Sequence, residues 1–169
     1  MDKSFENLGV SYLGVSLNQS LYLYQQPMFM LTVSVVLIDE NGVIVLGEDK
    51  EDKEDEYRFP GGIVKARQET IQFSAVRQVK EQTGIVLRKE ALIPVDYRSS
   101  PERSKEGNVV DIGMVCMLEK KNNPSNIVSG TKWLEVDFNK GHLRDEKKLY
   151  MDHDVLLERA IGVAMMMKG

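Results

Sequence analysis

The chain is poor in cysteine, histidine, positive charge and long apolar runs, and each shortage removes a class of function. Its one cysteine, Cys116, can form neither an internal disulfide nor a multi-cysteine zinc site. It lies in the run Met114-Val115-Cys116-Met117-Leu118 and reads as a buried, inert thiol. Of the two histidines, His142 is too isolated to complete a site, and His153 reads as a structural residue of a first helical turn. No apolar stretch is long enough to span a bilayer. The N-terminus, Met1-Asp2-Lys3-Ser4-Phe5-Glu6, lacks the basic start and apolar centre of a signal peptide. A soluble, cytoplasmic protein without membrane contact is expected, and the sequon Asn18-Gln19-Ser20 then has no consequence. Lysine and arginine number 22 against 26 acidic residues, a net charge of −4. A domain that grips many nucleic-acid phosphates is basic, so no bulk DNA or RNA partner is expected.

What is present is an ordinary globular mixture, 42% hydrophobic and 28% charged, in 169 residues. That length suits one domain with a sizeable core, and a single domain over 1–169 is expected. Residues 1–27 are mixed, with a short strand at 20–24 and a break at Gln25-Gln26-Pro27. Residues 30–38 are continuous and β-branched, as in a strand buried on both faces. Asn41-Gly42 makes a turn, and 43–46 returns as a second strand. Residues 48–56 are a solvated charge run, and 57–62 close on a turn. Residues 70–83 read as a helix stopped by Gly84. Strands are expected at 91–97, 109–118 and 133–136, with polar loops at 99–108 and 121–130. Residues 152–167 form a closing helix on the stripe Val155, Leu156, Arg159, Ala160, Val163 and Met167. The order points to an α/β fold, a mixed (α+β) sheet with helices packed on it.

The informative stretch runs from Phe59 to Ile85. Two glycines before a helix allow a tight loop and the close approach of a ligand. Gln78, Glu81 and Gln82 fall at i, i+3 and i+4, on one helix face. Ala75, Val76 and Val79 point another way, toward a sheet. Three oxygen-bearing side chains thus stand over whatever the glycine loop cradles. Oxygen donors on a rigid helix suit magnesium, which neutralises a diphosphate and can activate water.

This stretch resembles the Nudix box: Gly, five residues, Glu, seven residues, then Arg-Glu-apolar-x-Glu-Glu-x-Gly-apolar. Glu69, Arg77, Val79, Glu81, Gly84 and Ile85 match, and Phe59-Pro60 before the glycine pair is typical. Further similarity runs along most of the chain. Residues 32–46 resemble the strand pair before the box, and 101–110 the loop and strand after it in the ADP-ribose pyrophosphatase-like branch. Lys132-Trp133-Leu134-Glu135-Val136 resembles a Trp-containing strand near the family's end. Tyr150-Met151-Asp152-His153 is similar to a Phe-Asp-His signature of that branch, shared with Nudix-related regulators of NAD metabolism. Those regulators carry a winged helix after the Nudix domain, and none is expected here. The residues themselves allow a plainer reading, with Asp152 as a helix N-cap and Trp133 as a core or rim residue.

The resemblance implies a Nudix-type α/β/α sandwich, a nucleotide substrate or ligand, Mg2+ or Mn2+ as cofactor, and a homodimer to which the N-terminal segment contributes. It makes Glu81, Gln78 and Gln82 the catalytic and metal positions, with the Gly61 carbonyl as a further ligand. Gly61, Gly62, Arg58, Arg98 and Arg103 become candidates for substrate contact, although Arg98 and Arg103 read equally as solvated charges. Glu69 and Arg77 are expected to support the loop as a salt bridge. The departures are specific. Six residues separate Gly62 from Glu69, and glutamine replaces the first and third helix glutamates. An amide can coordinate a metal but brings no charge and takes no proton, so weak metal binding and no obvious base are expected. No acidic residue lies between Lys120 and Lys132 to compensate, which leaves Glu102 and Glu106. Two functions follow: a metal-dependent pyrophosphohydrolase acting on a nucleoside diphosphate linked to another group, ADP-ribose-like, or an impaired Nudix domain that senses or binds such a metabolite.

Overall fold

The computed structural model describes residues 29–39, 43–48, 56–65, 67–99, 108–119, 131–144 and 148–168. The expected strand at 20–24, the loop at 121–130 and the candidates Arg103, Glu102 and Glu106 lie outside them.

The sheet is built around β1 (Met30–Ile38), which pairs in parallel with β6 (Val109–Met117) over its whole length, Met30 opposite Val109 and Ile38 opposite Met117. On its other side β1 pairs antiparallel with β2 (Val43–Glu48) near Ile38 and with β4 (Gly61–Ile63) near Thr32. Beyond β2 lie β3 (Glu56–Arg58) and β7 (Thr131–Asp137). Beyond β6 lies β5 (Ile93–Arg98), whose register shifts between Pro94 and Asp96. Two-residue strands β8 (His142–Leu143) and β9 (Lys148–Leu149) finish the sheet.

Two helices cover the two faces. Val33, Val35 and Leu37 of β1 meet Ala75 and Val79 of α1 (Ile71–Thr83), together with Met114 and Cys116. On the other face Val36, Ile38 and Val115 meet Leu156, Leu157, Ala160 and Ile161 of α2 (His153–Lys168). Burial on both faces explains why β1 is continuously apolar from Val35 to Ile38, and each fully buried Leu or Val contributes about 1.5–3 kcal/mol. Helix α1 starts where the Thr70 hydroxyl accepts the Phe73 N–H. It ends at Gly84, whose left-handed φ of 78° suits glycine and lets its N–H reach the Lys80 carbonyl.

Three expectations are corrected. Residues 57–62 hold parts of β3 and β4 rather than a turn alone, because β1 and β2 offer them open edges. The strand expected from Ala91 begins at Ile93, since Lys89–Ala91 form a 3-10 turn. Val155, Arg159 and Met167 of the expected stripe on α2 are exposed, and its buried face runs through Leu156, Leu157, Ala160, Ile161 and Ala164.

Candidate functional site

The short strand β4 lies beside the first half of β1, and its two glycines create the site. A Cβ on Gly61 would stand 2.1 Å from the Val33 carbonyl oxygen, so only glycine lets β4 lie this close to β1. A Cβ on Gly62 would stand 2.6 Å from Gln78 Nε2. The backbone of this edge therefore meets the side chains of α1 directly.

What meets it is an amide network. Gln82 Oε1 accepts the Gly61 N–H at 2.9 Å, and Gln82 Nε2 donates to the Gly61 carbonyl at 2.7 Å. The same Nε2 donates to Gln78 Oε1 at 3.0 Å. Gly61 thus presents one donor and one acceptor, and the amide of Gln82 answers both. A glutamate at 82 would instead place a carboxylate oxygen against the Gly61 carbonyl, and two facing oxygens need a cation between them. Here an N–H holds that place.

The divalent ion implied by the resemblance does not fit this donor set. The Gly61 carbonyl is occupied by an amide proton, and Gln78 and Gln82 bring no charge. Glu81 is the one carboxylate of the trio, 57% exposed and bonded to Arg77 Nη1 at 3.1 Å. Among the described residues no cluster of three His, Cys, Asp or Glu side chains could hold a metal.

Glu69 and Arg77 brace the loop between β4 and α1. Arg77 Nε and Nη2 donate to the two Glu69 oxygens at 2.9 and 2.7 Å, a bidentate pair. Glu69 also accepts the Lys65 N–H at 2.9 Å. The Arg77 guanidinium, followed by that backbone N–H, lowers the Glu69 carboxyl to about 2, and Glu69 in turn raises Arg77. The six-residue spacing closes through a turn in which Arg67 takes a left-handed φ of 66°.

On the α2 face of β4 and β1 lies a groove of about 200 Å³. Thr32, Ser34 and Asp111 form its polar part, Met30, Ile63 and Met151 an apolar rim, and exposed Arg58 one wall. Arg98 is elsewhere. It is 8% exposed, bonded to Asp111 and, at 2.8 Å, to Asp152. Its charge therefore ties β5 and β6 to the start of α2 and is not displayed at the groove's mouth. His153 is also buried. Its Nδ1 accepts the Phe59 N–H at 3.1 Å and its ring stacks on Phe59 at 5.1 Å, which fixes the approach to the glycine pair.

The sequence reading missed Thr32, Ser34 and Asp111. The signal was present as polar residues at alternate positions of an apolar strand and a lone aspartate inside another. Cys116 is buried, and burial raises its thiol to about 11.

Residues 28–154 match the model of the NUDIX domain family. The ADP-ribose pyrophosphatase of Methanocaldococcus jannaschii is 26% identical over 136 residues, 80% of this chain and 74% of that protein. A MutT/nudix family protein from Enterococcus faecalis has the same fold, with a TM-score of 0.68 at 21% identity, over 90% of this chain and 70% of that one. The NUDIX domain of Shewanella oneidensis NrtR, solved with ADP ribose, has a TM-score of 0.65 at 18% identity, over 86% of this chain and 98% of that one.

Proposed function

The chain belongs to the NUDIX domain family, and from that premise we propose that it recognises a nucleoside diphosphate linked to another group, ADP-ribose or a close relative, as a binding module without efficient turnover. The observation that carries this reading is the double hydrogen bond between Gln82 and Gly61. It closes the backbone carbonyl and the helix face on which the family's metal chemistry depends, while leaving the groove and Arg58 open to a ligand. Arg58 on the rim can meet a phosphate with a charge-assisted hydrogen bond. The likeness to an ADP-ribose pyrophosphatase supports the choice of ligand.

The same likeness favours a second reading, a Mg2+- or Mn2+-dependent pyrophosphohydrolase. In it Glu81, Gln78 and Gln82 carry the metal and the chemistry, and Glu81 retains an exposed carboxylate. Phosphorus NMR of ADP-ribose with stoichiometric protein separates the two. Broadened but uncleaved ligand, with or without the diamagnetic Mg2+, supports recognition alone. Metal-dependent appearance of AMP refutes it in favour of the hydrolase.

A further inference from the structure

Helix α1 has a second face. Gln82 turns toward Gly61, while Phe73, Arg77 and Lys80, at i, i+4 and i+7, share an outward stripe. Phe73 is 54% exposed, although a phenyl ring gains much by burial. Lys89, in the 3-10 turn that follows α1, places its Nζ 5.3 Å from the centroid of that ring. Beside the ring lies an open depression of about 630 Å³, bounded by Arg67, Glu69, Phe73 and Arg77.

The charge of this surface runs against that of the chain. Residues 64–91 hold six lysines and arginines against three glutamates, in a protein of net charge −4. The glutamates are already engaged. Glu69 and Glu81 pair with Arg77, and Glu90 lies 3.9 Å from Lys89. Arg67, Lys80 and Arg88 are exposed and make no ion pair among the described residues. Unpaired cations around an exposed ring complement an anionic partner that carries an apolar group.

Size decides which anion. At physiological salt a charge is felt over about 8 Å, so a short segment meets this local excess and not the acidic remainder of the chain. From Phe73 to Lys80 the helix rises about 10 Å, the reach of about three residues of extended peptide. A nucleic-acid strand needs a basic groove that follows its backbone over several nucleotides, and this surface is shorter.

We propose that the outward face of α1 docks an acidic peptide segment of a partner protein. Carboxylates of the segment meet Arg67, Lys80 and Lys89, and an aromatic side chain between them packs on Phe73 beside the depression. The contact is separate from the Gly61 edge and from the groove on the α2 face, and it stands whether or not the ligand reading holds.

The test is fluorescence anisotropy of the full chain with a labelled heptapeptide, Glu-Asp-Glu-Phe-Glu-Asp-Glu, with a version carrying alanine at its centre, and with a deoxythymidine heptamer. Arg67→Gln with Lys89→Gln is expected to weaken the aromatic peptide by about tenfold, through the loss of two exposed ion pairs. Lys80→Gln is expected to weaken it by about threefold. The wild type should prefer the aromatic peptide to the alanine peptide by about fivefold, and Phe73→Ala should abolish that preference. All four substitutions are at exposed side chains, and circular dichroism confirms that each variant is folded; should one not fold, the others still decide. No binding of the aromatic peptide to the wild type at about 1 mM, or equal binding to the wild type and the charge variants, overturns the proposal. So does an aromatic preference that survives Phe73→Ala. Tighter binding of the deoxythymidine heptamer, lost in the same charge variants, overturns it by assigning the surface to single-stranded nucleic acid.

Discussion

Replacing Gln82 and Gln78 with glutamate should convert the amide network into a site that requires a cation. In the wild type the 2.7 Å contact between Gln82 Nε2 and the Gly61 carbonyl is a donor–acceptor pair. In Gln82→Glu an oxygen replaces the donor while the other oxygen still accepts the Gly61 N–H. Losing one hydrogen bond and setting two oxygens face to face at a half-buried position destabilises by about 1–2 kcal/mol. For a domain of this size that is about 2–8 °C in Tm. Adding Gln78→Glu places a second carboxylate one turn away and deepens the loss in EDTA. A divalent ion should reverse it, since a ligand at about 100 times its Kd stabilises by about 2.7 kcal/mol. A thermal-shift assay of wild type and double variant, in EDTA and in millimolar Mg2+ or Mn2+, reads all four values. The double variant should melt low in EDTA and recover with metal, and the wild type should move by less than about 1 °C. An equal metal shift in both proteins, or no loss in EDTA, would refute the argument that an amide proton stands where a cation would.

Gly61→Ala should destabilise the protein by at least about 2 kcal/mol, because the new Cβ meets the backbone of β1 and not a movable side chain; chemical denaturation measures it, and amide exchange should locate the damage at β4. His153→Ala removes a buried acceptor of the Phe59 N–H and the ring stacked on Phe59 and should destabilise by about 2–4 kcal/mol; an unchanged denaturation midpoint would refute its structural role. The lowered carboxyl of Glu69 gives a signed pH effect. Its contribution is fully present above the unfolded value near 4.5 and is lost as pH falls through about 2, so the Tm gap between wild type and Glu69→Gln should be constant above pH 5 and close toward pH 2. Cys116, buried and with its thiol raised to about 11, should resist alkylation at pH 8 until the protein is unfolded.

Much of the scaffold could be read from local patterns. The β-branched run at 30–38, Thr70 before α1 and Gly84 after it each carry a local physical signal, and each element lies within a residue or so of its expected place. The elements that escaped are those made by partners distant in the chain. β4 exists because β1 has an open edge beside Thr32, and β9 because β3 offers one. Neither has a periodicity of its own at two or three residues. The site divides in the same way. Spacing alone put Gln78, Glu81 and Gln82 on one helix face, but the pairing of Gln82 with Gly61 spans 21 residues and needed the fold. Arg98 looked like a cation available for phosphate, and only the packing of β5, β6 and α2 shows Asp111 and Asp152 claiming it.

The central claim is that this NUDIX domain holds its ligand without the metal site of its family. Calorimetric titration of ADP-ribose into wild-type protein, in EDTA and again in Mg2+ or Mn2+ with AMP release followed in parallel, tests it most directly. The expected result is the same affinity in both conditions and no AMP. Binding that appears only with the divalent ion, or AMP formed over many turnovers, would contradict it.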